Sequence, residues 1–160
     1  MSQRAAASRD EINPRRLMAE VSGIEFLEGL KDGRFPGAPM QATVNIRLDE
    51  IAAGRVTFRG APQFAHANPF GATHGGWYGV ALDSALGCAV MSTLRRGTWY
   101  TTLDLQFNIL RALPEGVEVV VEGLIQHSGR STAVARGEIR GAADGKLYAT
   151  GTTTCIIFEV

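Results

Sequence analysis

The chemically richest part of the chain runs from Asn68 through Pro-Phe-Gly-Ala-Thr-His-Gly-Gly to Asp83, a glycine-rich turn entering an apolar helical run that holds one carboxylate. On a helix the neighbours of Asp83 at three and four positions are Gly79, Val80, Leu86 and Gly87. Its side chain therefore leaves a largely apolar surface, with a glycine one turn away on either side that leaves open space. Desolvating a carboxylate there is costly, and packing alone would favour Leu or Ala. A place in a ligand pocket accounts for Asp83; so does a carboxylate that points to solvent or bonds nearby backbone, as most helix aspartates do. The His74-Gly75-Gly76 turn is open in the same way. Two glycines at a helix start can serve close backbone packing alone. They can also present free N–H groups at the positive end of the helix, where a carbonyl oxygen that turns negative during acyl transfer would be held.

The elements that must position these residues follow from periodicity. Apolar and polar residues alternate over 41–50 and again over 55–59, which predicts two half-buried strands. A loop over 62–73, with Asn68-Pro69 and Gly71, leads into a helix predicted over 75–95, closed by Arg95, Arg96 and Gly97. Beyond it, 102–110, 117–126, 133–139 and 146–158 read as four antiparallel strands, with turns at Pro114-Glu115-Gly116, Ser128-Gly129-Arg130 and Asp144-Gly145. Ahead of the first strand, Asn13-Pro14 can start a helical turn, and Ser22 with Glu25 can form a capping box. Residues 1–12 read as a frayed tail and 13–40 as a helical and loop segment. An antiparallel sheet with one long helix buries the helix on one sheet face, an α+β architecture. With no repeat or composition break, 1–160 reads as one domain.

Composition removes several classes. Sixteen basic and sixteen acidic residues balance, so no net field favours nucleic acid or an anionic membrane. No run approaches the roughly 20 apolar residues of a membrane span, and no apolar stretch follows the basic start to make a signal peptide, so a soluble cytoplasmic protein is expected. Cys88 and Cys155 are too far apart for a zinc or disulfide pattern and read as buried thiols. There is no Gly-x-Ser-x-Gly elbow or Walker run, and His74 has no partner at metal-ligand spacing; no metal and no redox cofactor are expected.

The Asn-Pro-x-Gly-x-x-His-Gly-Gly run from Asn68, with Asp83 nine residues after His74, resembles the hotdog-fold thioesterases of the phenylacetate-pathway (PaaI-like) type. Pro39 onward, Thr102-Leu-Asp-Leu, Leu110-Arg111 and His127-Ser-Gly-Arg130 are similar as well, so the likeness spans about residues 30–158. It implies a curved antiparallel sheet wrapped around one long central helix, and hydrolysis of an acyl-CoA thioester to free acid and CoA. By the same resemblance Asp83 is the nucleophile or the general base that directs water, the Gly75 N–H polarises the thioester carbonyl, and Asn68 and His74 position water or the helix turn. Thr102, or alternatively Thr101, matches a Ser/Thr that holds the attacking water. Gly76, Arg111, His127, Gly129, Arg130 and Ser131 are the implied contacts to CoA, whose phosphates suit arginine's fork, although solvated arginines at strand ends need no such role. Carboxylate and glycine turn come from different subunits in that family, which implies a homodimer, with a homotetramer expected.

Two rivals are weaker. A hydratase or dehydratase of this fold would need a His after Asp83 on the same helix, and none is there. A non-catalytic acyl-CoA sensor would bring a DNA-binding segment, whereas only about 40 residues precede the first strand, with no basic recognition helix. His66, outside the motif, reads as structural. Trp77, Tyr78, Phe70 and Phe35 are candidate pocket aromatics, and the acyl group, aryl or aliphatic, stays open.

Overall fold

A computed structural model describes residues 3–160. The strands are β1 (Ile46–Ala52), β2 (Arg55–Gly60), β3 (Thr98–Ile109), β4 (Val119–Ser128), β5 (Thr132–Gly141) and β6 (Leu147–Glu159). The helices are α1 (Gly23–Asp32), α2 (Pro39–Thr43) and α3 (Gly75–Met91). All six strands form one antiparallel sheet in the order β1-β2-β4-β5-β6-β3, curled around α3, which is the hotdog fold. Among the described residues no helix is long and apolar enough to cross a membrane.

The central helix is apolar on nearly every side, the pattern of a helix buried all round. Leu82, Ala85, Leu86, Ala89 and Val90 are fully buried. It can sit so deep because Gly123, Gly137 and Gly151 are register partners on β4, β5 and β6 and form a row across the sheet beneath it. A Cβ on Gly123 would lie 2.2 Å from the Ala85 carbonyl oxygen, and one on Gly137 would lie 2.5 Å from a methyl of Leu86. α3 stops at Met91, four residues before the predicted end. The Ser92 and Thr93 hydroxyls turn back onto the carbonyls of Ala89 (2.7 Å) and Val90 (2.8 Å), and Ser92 Oγ accepts from the Gly54 N–H (2.8 Å). Such bonds compete with the helix and lead the chain out of it. Gly97 does take a positive φ (79°), but it turns the chain into β3 instead of capping α3.

The first strand also begins later than its alternation predicts. Pro39 sits at the first position of α2, which takes 39–43, and Asn45 adopts a left-handed φ of 55° while its Nδ2 donates to the Ala61 carbonyl. Ile46 therefore opens β1. Within residues 3–12, expected as a frayed tail, Arg4 to Ala6 instead pair with the 36–38 loop: Ala5 pairs with Gly37, Ala6 N–H donates to Gly37 O (2.9 Å), and Ala6 is buried. Met1 and Ser2 lie outside the described residues. Asn13 does not cap a helix; its Nδ2 donates to Pro36 O at 2.7 Å and joins the same layer. Ser22 and Glu25 do form the capping box of α1.

β3 is an edge strand, paired only with β6, and it carries a bulge. Thr102 pairs with Cys155 and Asp104 with Thr154, so Leu103 has no partner and is 62% exposed. The extra residue switches which side chains face α3. Before it the even residues do, as Tyr100 meets Gly87 and Thr102 meets Asp83; after it the odd residues do, as Phe107 meets Gly79 and Ile109 meets Gly75.

Candidate active site

The turn before α3 is built by side chains that bond its backbone. Asn68 Oδ1 accepts from the N–H of Phe70 (2.9 Å) and of Ala72 (3.2 Å), closing the 68–72 loop, so Asn68 shapes the turn. His74 is the N-cap of α3, and its Nδ1 accepts from the Gly76 N–H at 2.9 Å. That bond occupies Gly76, one of the expected substrate contacts. The Gly75 N–H stands at the first helical position, has no partner among the described residues, and is the donor left open at the positive end of the helix.

Asp83 lies two turns further on and is half-buried. Its Oδ1 accepts from Thr102 Oγ1 at 3.0 Å. The bulge settles which threonine faces the helix: Thr102 does, and Thr101 is exposed on the other side. The space expected beside Gly79 and Gly87 is not open. The Phe107 ring comes to 3.1 Å of a Cβ placed on Gly79, and the Tyr100 hydroxyl to 2.4 Å of one on Gly87, so these glycines admit strand aromatics instead of ligand.

Open space lies on the adjoining flank. A cavity of about 380 Å³ runs between α1, α3 and β3, bounded by Asp83, Ser84, Cys88 and Met91 of α3 and by Phe26, Leu27, Trp99 and Tyr100. Its aromatic walls are not those the sequence suggests. Trp77 and Tyr78 are core residues, with Trp77 Nε1 donating to Val44 O and the Leu113 N–H donating to Tyr78 Oη, each at 2.8 Å. Phe70 is 96% exposed, and Phe35 stacks on the ring of Phe26, centroids 5.7 Å apart. Phe26, Trp99 and Tyr100 were hidden from sequence reasoning because only the packing of α1 on β3 brings them together. The Cys88 thiol is pushed up to about 12, first by burial and then by the nearby Asp83 charge. His66 is structural as expected: Nδ1 accepts from Gln63 N–H (2.8 Å) and Nε2 bonds Thr43 O (2.7 Å).

The expected CoA contacts fall into two groups that cannot meet on one chain. Arg111 N–H bonds Tyr148 O near the start of β6, whereas the Ser131 carbonyl bonds Ile157 N–H near its end. Nine residues of strand, roughly 30 Å, separate them. His127, Gly129, Arg130 and Ser131 stay together in the β4–β5 turn, where Gly129 N–H bonds Thr132 O at 2.8 Å.

A family model described as the thioesterase superfamily matches residues 70–148, the segment that contains His74, Gly75, Asp83 and Thr102. Among solved structures, a thioesterase family protein from Silicibacter pomeroyi is 27% identical, with a TM-score of 0.70 over 76% of this chain and 90% of that one. A variant of the phenylacetic acid degradation protein PaaI from Thermus thermophilus is 26% identical, with a TM-score of 0.67 over 74% and 97%. The matched segment and the fold are both similar to those of hotdog-fold thioesterases. A hypothetical thioesterase of Streptococcus pneumoniae, solved with coenzyme A, has the same fold at 24% identity and a TM-score of 0.66 over 72% and 87%. No curated protein matches the chain. The matched segment carries the glycine turn and the carboxylate, while the cavity wall from α1, the 36–38 loop and α2 lies outside it.

Proposed function

We propose that the protein hydrolyses an acyl-CoA thioester to a free acid and CoA in a site shared by two copies of the chain. The observation that carries this reading is the spacing of its two chemical groups. Gly75, with its open N–H, and Asp83, at the cavity, are eight residues apart on one straight helix, about 12 Å. A thioester carbonyl is far smaller than that, so one chain cannot place both groups on it. Two helices side by side and antiparallel bring Gly75 of one copy to Asp83 of the other. The edge strand supports the pairing: β3 has a free side and exposes Leu103, Phe107 and Ile109, with exposed Leu110 just after it. The same two-fold relation carries Arg111 of one copy to the end where His127 and Arg130 of the other stand, so the separated CoA contacts converge.

In this site the Gly75 N–H and the helix dipole hold the carbonyl oxygen as it becomes an oxyanion. Asp83, oriented by Thr102, takes a proton from water as the water oxygen bonds to the carbonyl carbon; the C–S bond then breaks, and Asp83 returns the proton to the departing thiolate, which leaves as CoA. Neither step calls for a metal or redox cofactor.

Two variants test it through thiol release from acyl-CoA. Asp83→Asn should lower turnover at least a hundredfold without changing the melting curve. Gly75→Pro removes the open N–H and puts its ring in that place without disturbing the helix: proline suits the first helical position, and His74 already has the extended ψ of 138° that precedes proline. Its rate should fall about 10²–10³-fold. A purified heterodimer of the two variants has one intact site and should recover about half the native rate. A heterodimer as inactive as its parents would reject the shared site, and near-normal activity of folded Asp83→Asn would reject the mechanism.

A further inference from the structure

We propose that the acyl group is an unbranched apolar chain of medium length, roughly eight to ten carbons, lying along α3 in the cavity that begins at Asp83. This inference rests on the hydrolase reading above and adds its substrate class. Asp83, Ser84, Cys88 and Met91 form one stripe of α3 along the cavity. From Asp83 to Met91 the helix rises about 12 Å. With bond lengths near 1.5 Å, a phenylacetyl group ends roughly 6 Å from its thioester carbon, and an extended octanoyl or decanoyl chain roughly 9–11 Å from it. A single ring would leave the far half empty. The volume agrees in scale: about 380 Å³ lies within the range of small-ligand pockets, roughly 300–1,000 Å³.

The lining agrees in kind. Asp83 shares the wall with the rings of Phe26 and Trp99, meeting edge to face at 6.2 Å, with Leu27 and the two sulfur side chains of Cys88 and Met91, and with the uncharged polar groups of Asn13, Gln41, Ser84 and Tyr100. No charged side chain other than Asp83 borders the cavity. Ten of the sixteen residues that line it come from 12–41, outside the part of the chain that the superfamily model matches, so that segment largely sets the shape of the cavity.

The test is thiol release from straight-chain acyl-CoAs of two to sixteen carbons and from phenylacetyl-CoA. The expected kcat/KM rises about threefold to fourfold per methylene up to eight or ten carbons and then stops rising, with octanoyl-CoA at least tenfold above phenylacetyl-CoA. Met91→Phe fills the far end and should lower the decanoyl-to-hexanoyl ratio at least tenfold; Cys88→Phe fills the middle and should move the optimum shorter still. A flat profile, an optimum at phenylacetyl-CoA, or an unchanged profile in both folded variants would overturn the chain-length proposal while leaving the hydrolase reading standing. If no thioester is cleaved, the hydrolase reading fails, and Trp99 fluorescence reports binding instead. A Kd that tightens with chain length to eight or ten carbons still supports the cavity's assignment, and one indifferent to length rejects it.

Discussion

At the residue scale, the half-buried Cys88 thiol is held protonated by its apolar surroundings first and by the neighbouring Asp83 charge second. Burial and the Asp83 charge raise Cys88 to about 12, and burial raises Cys155 as well. The thiolate is the reactive form, so at pH 8 both should resist alkylation. Iodoacetamide followed by intact mass should leave the native protein unmodified over the time in which the unfolded chain takes up two adducts; fast single labelling would contradict the placement of Cys88. Asp83 was legible in the sequence because a carboxylate on an apolar helix face is costly and therefore conspicuous. The difference between Gly75 and Gly76 was not. Both are glycines at a helix start, and which N–H stays open depends on the His74 side chain reaching back to one of them.

At the scale of elements, the capping box of α1 ties the N-terminal segment to the end of the central helix. Glu25 accepts from the Ser22 N–H at 2.7 Å and pairs with Arg96 at 2.8 Å, beyond the end of α3. Those bonds, Arg96 first, hold the Glu25 carboxyl down at about 2. A carboxyl lowered on folding contributes stability above its unfolded value near 4.5, and that contribution disappears as pH falls toward 2. The melting temperature of Glu25→Gln should therefore lie below that of the native protein above pH 4.5, and the two should converge toward pH 2. A gap that persists at pH 2 would assign the effect to packing. The box was readable because its two partners are three residues apart. The start of β1 was not, since alternation over 41–50 fits a strand as well as it fits the short helix that Pro39 initiates.

At the scale of the whole molecule, order and type of the large elements were legible, because strand alternation, one long apolar helix and turn residues all point to a sheet around a helix. What crosses between distant segments was not. The pairing of Arg4 to Ala6 with Gly37 rests on backbone bonds that no side-chain pattern announces. The opposite placement of Arg111 and Arg130 became visible only once β6 set the distance between them. Both depend on contacts between segments far apart in the chain, which the local sequence does not record.

The bulge at Leu103 also bears on which edits the chain can survive. Most single-residue deletions inside a strand flip every side chain beyond them to the opposite face. Here the strand holds one residue more than its ladder with β6 uses. Removing Leu103 would make Thr102 and the present Asp104 consecutive across from Cys155 and Thr154, and Leu105, Phe107 and Ile109 would still face the helix. Loss of Gln106 would instead be absorbed only by turning Asp104 inward and Leu105 outward. The Leu103 deletion should yield a folded protein with a cooperative melt, and the Gln106 deletion should not. Length variation in this edge strand is thus confined by its geometry to one position, beside the threonine that holds Asp83.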